Sequence, residues 1–243
     1  MGSAMRRVRI IGPGRAGGSL AGALRRCGWA VEPLLGRDDD CTSAADGIDL
    51  LVVATPDAAI ADVAATVAPS RGTVVAHLSG ALGLDVLSPH HRRAGLHPLV
   101  SLADAERGAD LLADGAWFAV AGDPLVGEVV EALGGRSVTV DDTDRTAYHA
   151  AAVVASNHLV ALLGQVERLA GPLGVPLEAF LDLADGSLAN VRALGPADAL
   201  TGPAARGDEA TIQRHLAALA ADERPGYEAV AELARRLAGR SRP

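Results

Sequence analysis

The chain has 243 residues, with 22 Lys+Arg against 30 Asp+Glu and a formal net charge of −8. That acidity argues against nucleic acid and anionic membranes as partners, which need a basic surface. Hydrophobic residues make up 49% and aromatic residues only 2%, so any core must be built from Ala, Val and Leu. The length suffices for two modest domains.

All the cationic residues are arginine, and the sequence contains no lysine. A Schiff-base lysine and a lysine acid or base are thereby excluded. The two cysteines, Cys27 and Cys41, lack metal-ligand spacing and read as reduced thiols of a cytoplasmic protein. No apolar run reaches the roughly 18 residues of a membrane span. The opening Met1-Gly2-Ser3-Ala4 reads as an expression remnant rather than a signal peptide.

The short apolar run Val8-Arg9-Ile10-Ile11 ends in Gly12-Pro13-Gly14-Arg15-Ala16-Gly17, and a helical pattern follows at Leu20, Ala23, Leu24 and Cys27. Strand, glycine turn and helix form the dinucleotide-binding fingerprint. Gly12 permits the turn, Gly14 lets a pyrophosphate approach the backbone, and Gly17 lets helix and strand pack closely. The amides of the helix N-terminus then face the phosphates.

Residues 29–36 read as a second strand, followed by Arg37. An arginine at the end of this strand accommodates the 2′-phosphate of NADP, where an acid would bind the ribose of NAD. NADP is therefore expected over NAD. The neighbouring Asp38-Asp39-Asp40 can repel a phosphate or shape the loop.

Residues 49–54 form a wholly apolar strand that stops at Thr55-Pro56-Asp57, with a helix over 58–67. Further strands are expected at 73–77, 93–97, 116–121 and 137–140, with a helix at 125–133. The alternation predicts a mostly parallel Rossmann-type sheet over residues 1–141. From Asp142 onward the pattern is helical only. The longest run is 147–169, followed by helices at 177–184, 189–194, 209–221 with Asp208 as N-cap, and 226–237. Residues 142–243 therefore read as an all-α second domain, serving substrate binding and dimerisation.

Ligands of open parallel sheets bind at the carboxyl ends of the strands. Those ends carry Thr55 and Pro56, then His77, Ser79 and Gly80, then His97, and Thr55, Pro56, Ser79 and Gly80 are expected to line the cofactor. Ser79 and the Gly80 amide can hold a carbonyl or carboxylate oxygen, whereas His77 reads as structural. On the long helix, a uniform 100° per residue brings His149, Ser156 and Asn157 within about 100° of one another. Reducing a ketone takes a hydride on carbon and a proton on oxygen. His149 is the expected acid, with Tyr148 the weaker candidate, and Asn157 would orient the carbonyl.

These stretches together resemble a bacterial family that joins an N-terminal Rossmann-like domain to a C-terminal helical domain of unknown function. That family is related to the dehydrogenases of 6-phosphogluconate, 3-hydroxyacids, ketopantoate and prephenate. The resemblance is carried by Gly12 to Gly17, by His77-Leu78-Ser79-Gly80-Ala81 and by Leu96-His97-Pro98-Leu99. It extends through the run from Tyr148 to Asn157 and through Thr201 to Asp208. It implies an NADP-linked oxidoreductase acting on a small carboxylate substrate, and a homodimer formed through the helical domain. Ketopantoate reduction is the first expectation. The alternatives are an imine- or prephenate-type dehydrogenase, and a dinucleotide-binding sensor or scaffold without chemistry. In the wider group a lysine precedes the asparagine by one turn. Here Val153 stands in that place, and His149, one turn further back, is the expected replacement.

Overall fold

The computed structural model describes residues 5–240, so Met1–Ala4, read above as an expression remnant, lies outside the described residues. Seven strands form one sheet: β1 (Arg7–Ile11), β2 (Ala30–Val31), β3 (Leu50–Val53), β4 (Val74–His77), β5 (Arg92–Pro98), β6 (Trp117–Gly122) and β7 (Arg136–Thr139). Their order is β2-β1-β3-β4-β5-β6-β7, and all neighbours are parallel except the β5–β6 pair. All seven fall where the sequence predicts strands. β2 is shorter than its pattern. Pro33 has no N–H to give the ladder, and past Val31 only a single bridge joins Leu35 to Ile11.

Alternation along the strands sorts the core into two layers. Val8, Ile10, Leu50, Val52, Val74 and Ala76 pack with Leu20 and Leu24 of α1 (Arg15–Arg26). Ile11, Leu51, Val53 and Val75 pack with Ile60 and Ala64 of α2 (Asp57–Thr66). Burial on both faces explains why β3 reads as a continuous apolar run, and each such Val or Leu contributes about 1.5–3 kcal/mol of transfer free energy. Two more helices complete the layers: α3 (Ala105–Ala113) and α4 (Leu125–Ala132).

α3 has no counterpart in the sequence reading. Its contact with α1 is made by small residues. A Cβ on Gly18 would come within 3.0 Å of the Ala105 methyl, and one on Gly22 within 3.0 Å of the Ala109 methyl. Asp104 caps α3 by accepting from the Arg107 amide at 2.8 Å.

After β7 every element is helical: α5 (Arg145–Val153), a single π turn (Val154–His158), α6 (Leu159–Ala170), α7 (Leu177–Leu194), α8 (Pro196–Ala199), α9 (Pro203–Arg206), α10 (Glu209–Ala218) and α11 (Arg224–Arg240). One compact unit ends at Ser156 and the other begins at Asn157. The sheet unit therefore keeps α5, although the strands stop fifteen residues or so earlier, because Arg145 of α5 is wholly buried there. The two helices expected over 177–194 are one, since a single interior glycine, Gly186, costs a helix only about 1 kcal/mol. Asp208 caps α10 as expected, accepting from the Thr211 amide at 3.0 Å. The π turn breaks the uniform helical phase assumed for His149, Ser156 and Asn157, so that projection does not hold across it.

Candidate active site

The turn after β1 has the geometry a dinucleotide needs. Gly12 sits at φ 109, and a Cβ there would lie 2.5 Å from the Ala54 carbonyl oxygen. A Cβ on Gly17 would lie 2.0 Å from the Gly12 carbonyl oxygen, so this glycine lets α1 close onto the turn. Gly14 is different: nothing lies within 4 Å of its Cβ position. The backbone there is open to a ligand. Pro13, Gly14 and Arg15 are exposed, and Ala16 is half-buried. Gly14 provides no side-chain cap, and the first turn of α1 carries no acid. Its amides and its dipole are thus free for an anion. Thr55, next to this turn, has a buried hydroxyl oxygen without a partner, and Pro56 follows as the N-cap of α2.

The loop after β2 explains the acidic run. Asp39 Oδ2 accepts from the Gly36 amide at 2.7 Å, and Asp40 Oδ1 from the Thr42 amide at 2.8 Å. Two of the three carboxylates are thereby committed to the loop's own backbone. Arg37 is exposed, and its guanidinium has no hydrogen bond or ion pair among the described residues. Open turn, uncapped helix, orphaned Thr55 hydroxyl and uncommitted Arg37 together fit a dinucleotide bearing a 2′-phosphate.

A second cluster lies at the ends of β4 and β5. The Ser79 hydroxyl donates to Asp57 Oδ2 at 2.7 Å and accepts from the Ala81 and Leu82 amides, each at 3.1 Å. Its bonding capacity is used in holding the loop, not turned toward a ligand. This bond joins the start of α2 to the end of β4, so the dinucleotide turn, Thr55, Ser79 and Gly80 belong to one row of strand ends. His77 is fully buried, its Nε2 3.2 Å from the Gly83 carbonyl oxygen. Burial, with help from the Arg145 charge, lowers its pKa. That is the structural role expected of it.

Gly80 is the contact point of two imidazoles. A Cβ there would lie 2.6 Å from His149 Nδ1 and 2.9 Å from His97 Nε2. The two rings stand nearly perpendicular, with centroids 5.9 Å apart. The Tyr148 hydroxyl lies 2.7 Å from His97 Nδ1. Burial, then the charges of His149 and Arg145, lower the His97 pKa to about 4. Burial raises that of Tyr148, against the opposing pull of Arg145. His97 is therefore a neutral imidazole near pH 7, able to accept at one nitrogen and donate at the other.

Arg145 holds α5 in place. Its Nε donates to Asp142 Oδ1 at 3.2 Å and its Nη1 to the Ser79 carbonyl oxygen at 3.4 Å. Asp142 Oδ2 accepts from the Leu84 amide at 2.8 Å. A Cβ on Gly95 would lie 2.4 Å from Arg145 Nη2, so β5 needs a glycine where the guanidinium crosses it. Asp57 and Arg145 escaped the sequence reading. Asp57 stands out in the sequence only as the end of the Thr55-Pro56-Asp57 stop, and a wholly buried arginine is rare enough to be assigned to the surface by default. Asn157 lies in the second compact unit, in the π turn.

The first unit is a doubly wound sheet of the dinucleotide-binding class, with the fingerprint turn in its expected place. The Rossmann-like domain family matches residues 39–102, and the family described as Domain of unknown function (DUF2520) matches residues 119–234. The chain thus carries a Rossmann-like domain followed by a DUF2520 domain. No curated protein matches it significantly. Among solved structures, it is similar to a candidate NADP oxidoreductase from Bacteroides fragilis at 22% identity, covering 96% of this chain and 98% of that one, with a TM-score of 0.76. Protein TM1727 from Thermotoga maritima is 23% identical, with 97% and 100% covered and a TM-score of 0.73. A 1-pyrroline-5-carboxylate reductase from Streptococcus pyogenes is 13% identical, with 96% and 100% covered and a TM-score of 0.65. At these identities the likeness is one of fold.

Proposed function

We propose that the protein is an NADP-dependent oxidoreductase that reduces a small 2-keto acid, with ketopantoate as the first candidate. The observation that carries this reading is the single row of strand ends. A dinucleotide turn with an uncommitted Arg37 stands at one position, and two imidazoles meeting at Gly80 stand further along. A reduced nicotinamide, when bound, would supply the hydride. The protein's own contribution is the proton. His149 is the donor to the substrate oxygen, held by its contact with Gly80 and His97. Ser79 contributes by fixing the loop that presents Gly80. The names of the Bacteroides and Streptococcus neighbours, an NADP oxidoreductase and a reductase of a cyclic imine, support this chemistry and the choice of NADP.

A panel of 2-keto acids incubated with NADPH, followed by loss of nicotinamide absorbance, tests the reading. Turnover of ketopantoate or a close analogue is expected. His149→Ala should lower it by roughly a hundredfold or more, the scale for losing a positioned acid, and leave NADPH affinity unchanged. Turnover of cyclic imines instead would move the assignment to the imine-type dehydrogenase. Binding without any turnover would favour a dinucleotide sensor.

A cytoplasmic homodimer belongs to the same proposal, and the exposed apolar faces of the second unit support the dimer. Among its described residues, only Ala170 and Ile212 are fully buried apolar side chains. Val160, Leu183, Leu194 and Leu233 are 58–66% exposed, and Leu162, Val166, Leu169, Ile212 and Val230 line an apolar groove of about 400 Å³. A helical unit with so small a core gains stability by covering these faces with a second copy. The run Arg145–Leu173 is long and apolar enough to cross a membrane by length and composition. The buried Arg145 at its start, bonded to Asp142 and the Ser79 carbonyl, ties that end of the run into the sheet unit instead.

A further inference from the structure

We propose that Tyr148, His97 and His149 form a proton relay that ends at the substrate, so that His149 is the terminal donor of a chain and not an isolated acid. This deepens the reductase reading above and rests on it for its catalytic use. Three observations carry it.

The first is the 2.7 Å contact between the Tyr148 hydroxyl and His97 Nδ1. That is the phenol's one recorded partner among the described residues, so its O–H has an acceptor only if Nδ1 is unprotonated. Nδ1 accepts, and the proton of the neutral ring sits on Nε2. The second is the convergence at Gly80. His97 Nε2 and His149 Nδ1 approach the same point, 2.9 and 2.6 Å from the position a Cβ would take. The third is that His149 Nδ1 is buried without a partner. A buried acceptor wants a donor, and the Nε2–H of His97 is the group beside it. The ring centroids are 5.9 Å apart, and in the relay this is the link that closes when substrate is bound. The glycine at 80 is what allows the two rings to meet, because any side chain would stand between them.

The proton count closes without a charged imidazole. With a bound reduced nicotinamide to supply the hydride, the His149 Nε2 proton would go to the substrate oxygen. His149 Nδ1 takes the proton of His97 Nε2, and His97 Nδ1 takes that of the Tyr148 hydroxyl. Both rings end neutral with their tautomers exchanged, and Tyr148 ends as a phenolate, a charge that burial opposes and the field of Arg145 offsets only in part. After product leaves, water protonates His149 Nε2 and the protons step back to Tyr148. A chain of neutral rings suits this site, because burial opposes protonation of His97.

The experiment uses the full-length, cofactor-free protein and ring ¹⁵N NMR at pH 8, where an imidazole of ordinary pKa is neutral. His97→Gln and His149→Gln assign the signals. The relay requires the Nε2–H tautomer at both His97 and His149, and a shift of the His97 Nδ1 resonance in Tyr148→Phe. The exposed pair of His215 Nδ1 and the Tyr227 hydroxyl, 2.6 Å apart, is an internal reference that Tyr148→Phe should leave unmoved. An Nδ1–H tautomer at His97, or a His97 signal indifferent to Tyr148→Phe, overturns the relay. With a turned-over substrate, rate against D₂O fraction should curve in the wild type, as expected when several protons move together, and become linear in Tyr148→Phe. A linear wild-type plot also overturns it. The tautomers are read without turnover, so a protein that shows them yet reduces nothing defeats the reductase reading alone. One that reduces keto acids with the wrong tautomers defeats the relay alone.

Discussion

The Ser79 hydroxyl donates to Asp57 Oδ2 at 2.7 Å, tying the loop after β4 to the first residue of α2. This bond and the two amides that Ser79 accepts set the backbone of Gly80, on which both imidazoles rest. Ser79→Ala should leave three partners unpaired and cost about 1–3 kcal/mol of stability, read as a lower denaturant midpoint. Turnover should fall while NADPH affinity holds, because the dinucleotide turn is not touched. A variant as stable and active as the parent would remove Ser79 from this role.

Acid should weaken the fold through His97. Its pKa in the folded protein lies at about 4, against an ordinary value of 6.5. Between these values the unfolded chain binds more protons than the folded one. Stability from this residue is complete above pH 6.5 and is lost as pH falls toward 4. Melting temperatures measured across this window should drop in the parent and drop less steeply in His97→Gln. Parallel slopes would show that His97 titrates normally in the fold.

Cofactor choice should follow Arg37. With Asp39 and Asp40 engaged by the loop backbone, the guanidinium is the group left to pair with a 2′-phosphate. Arg37→Ala should weaken NADPH binding about tenfold or more, the loss of a charge-assisted contact of roughly 1.5–3 kcal/mol, and barely change NADH. Calorimetric titration of both cofactors checks this, and equal losses would contradict it.

The helical unit should not persist as a monomer. Light scattering at micromolar concentration is expected to report twice the chain mass of 24.6 kDa. Leu183→Glu and Leu233→Glu, placed on exposed apolar faces, should shift the mass toward the monomer and lower the melting temperature. A monomeric parent protein would contradict the homodimer.

Much of this architecture is legible in the sequence, because strong signals agree with one another. The central strands β1, β3 and β4 stand out as apolar runs, and the glycine turn falls between a strand and a helix. What escaped detection has a common cause. α3 packs through Gly18, Gly22, Ala105 and Ala109, residues too small to register as a hydrophobic stripe. The π turn at Val154–His158 adds a phase shift that no helical periodicity contains. The bond between Tyr148 and His97 joins positions fifty-one apart, and Arg145 owes its burial to the gap that Gly95 leaves in β5. Such tertiary pairings are set by packing, not by local pattern. The polar strand ends stand out in the sequence, yet Ser79 is recognisable as a loop anchor only with Asp57 beside it.

The central claim is that hydride and proton meet on a carbonyl at this site, and isotope transfer tests it most directly. The protein is mixed with NADPH deuterated at the transferring C4 position and with ketopantoate or another 2-keto acid, and the product is examined by mass spectrometry and NMR. One deuterium on the former carbonyl carbon, with its yield reduced about a hundredfold or more in His149→Ala, is the expected result. Deuterated NADPH that binds yet persists unoxidised, with every keto acid recovered unchanged, would contradict the account and leave a dinucleotide-binding protein without reductase chemistry.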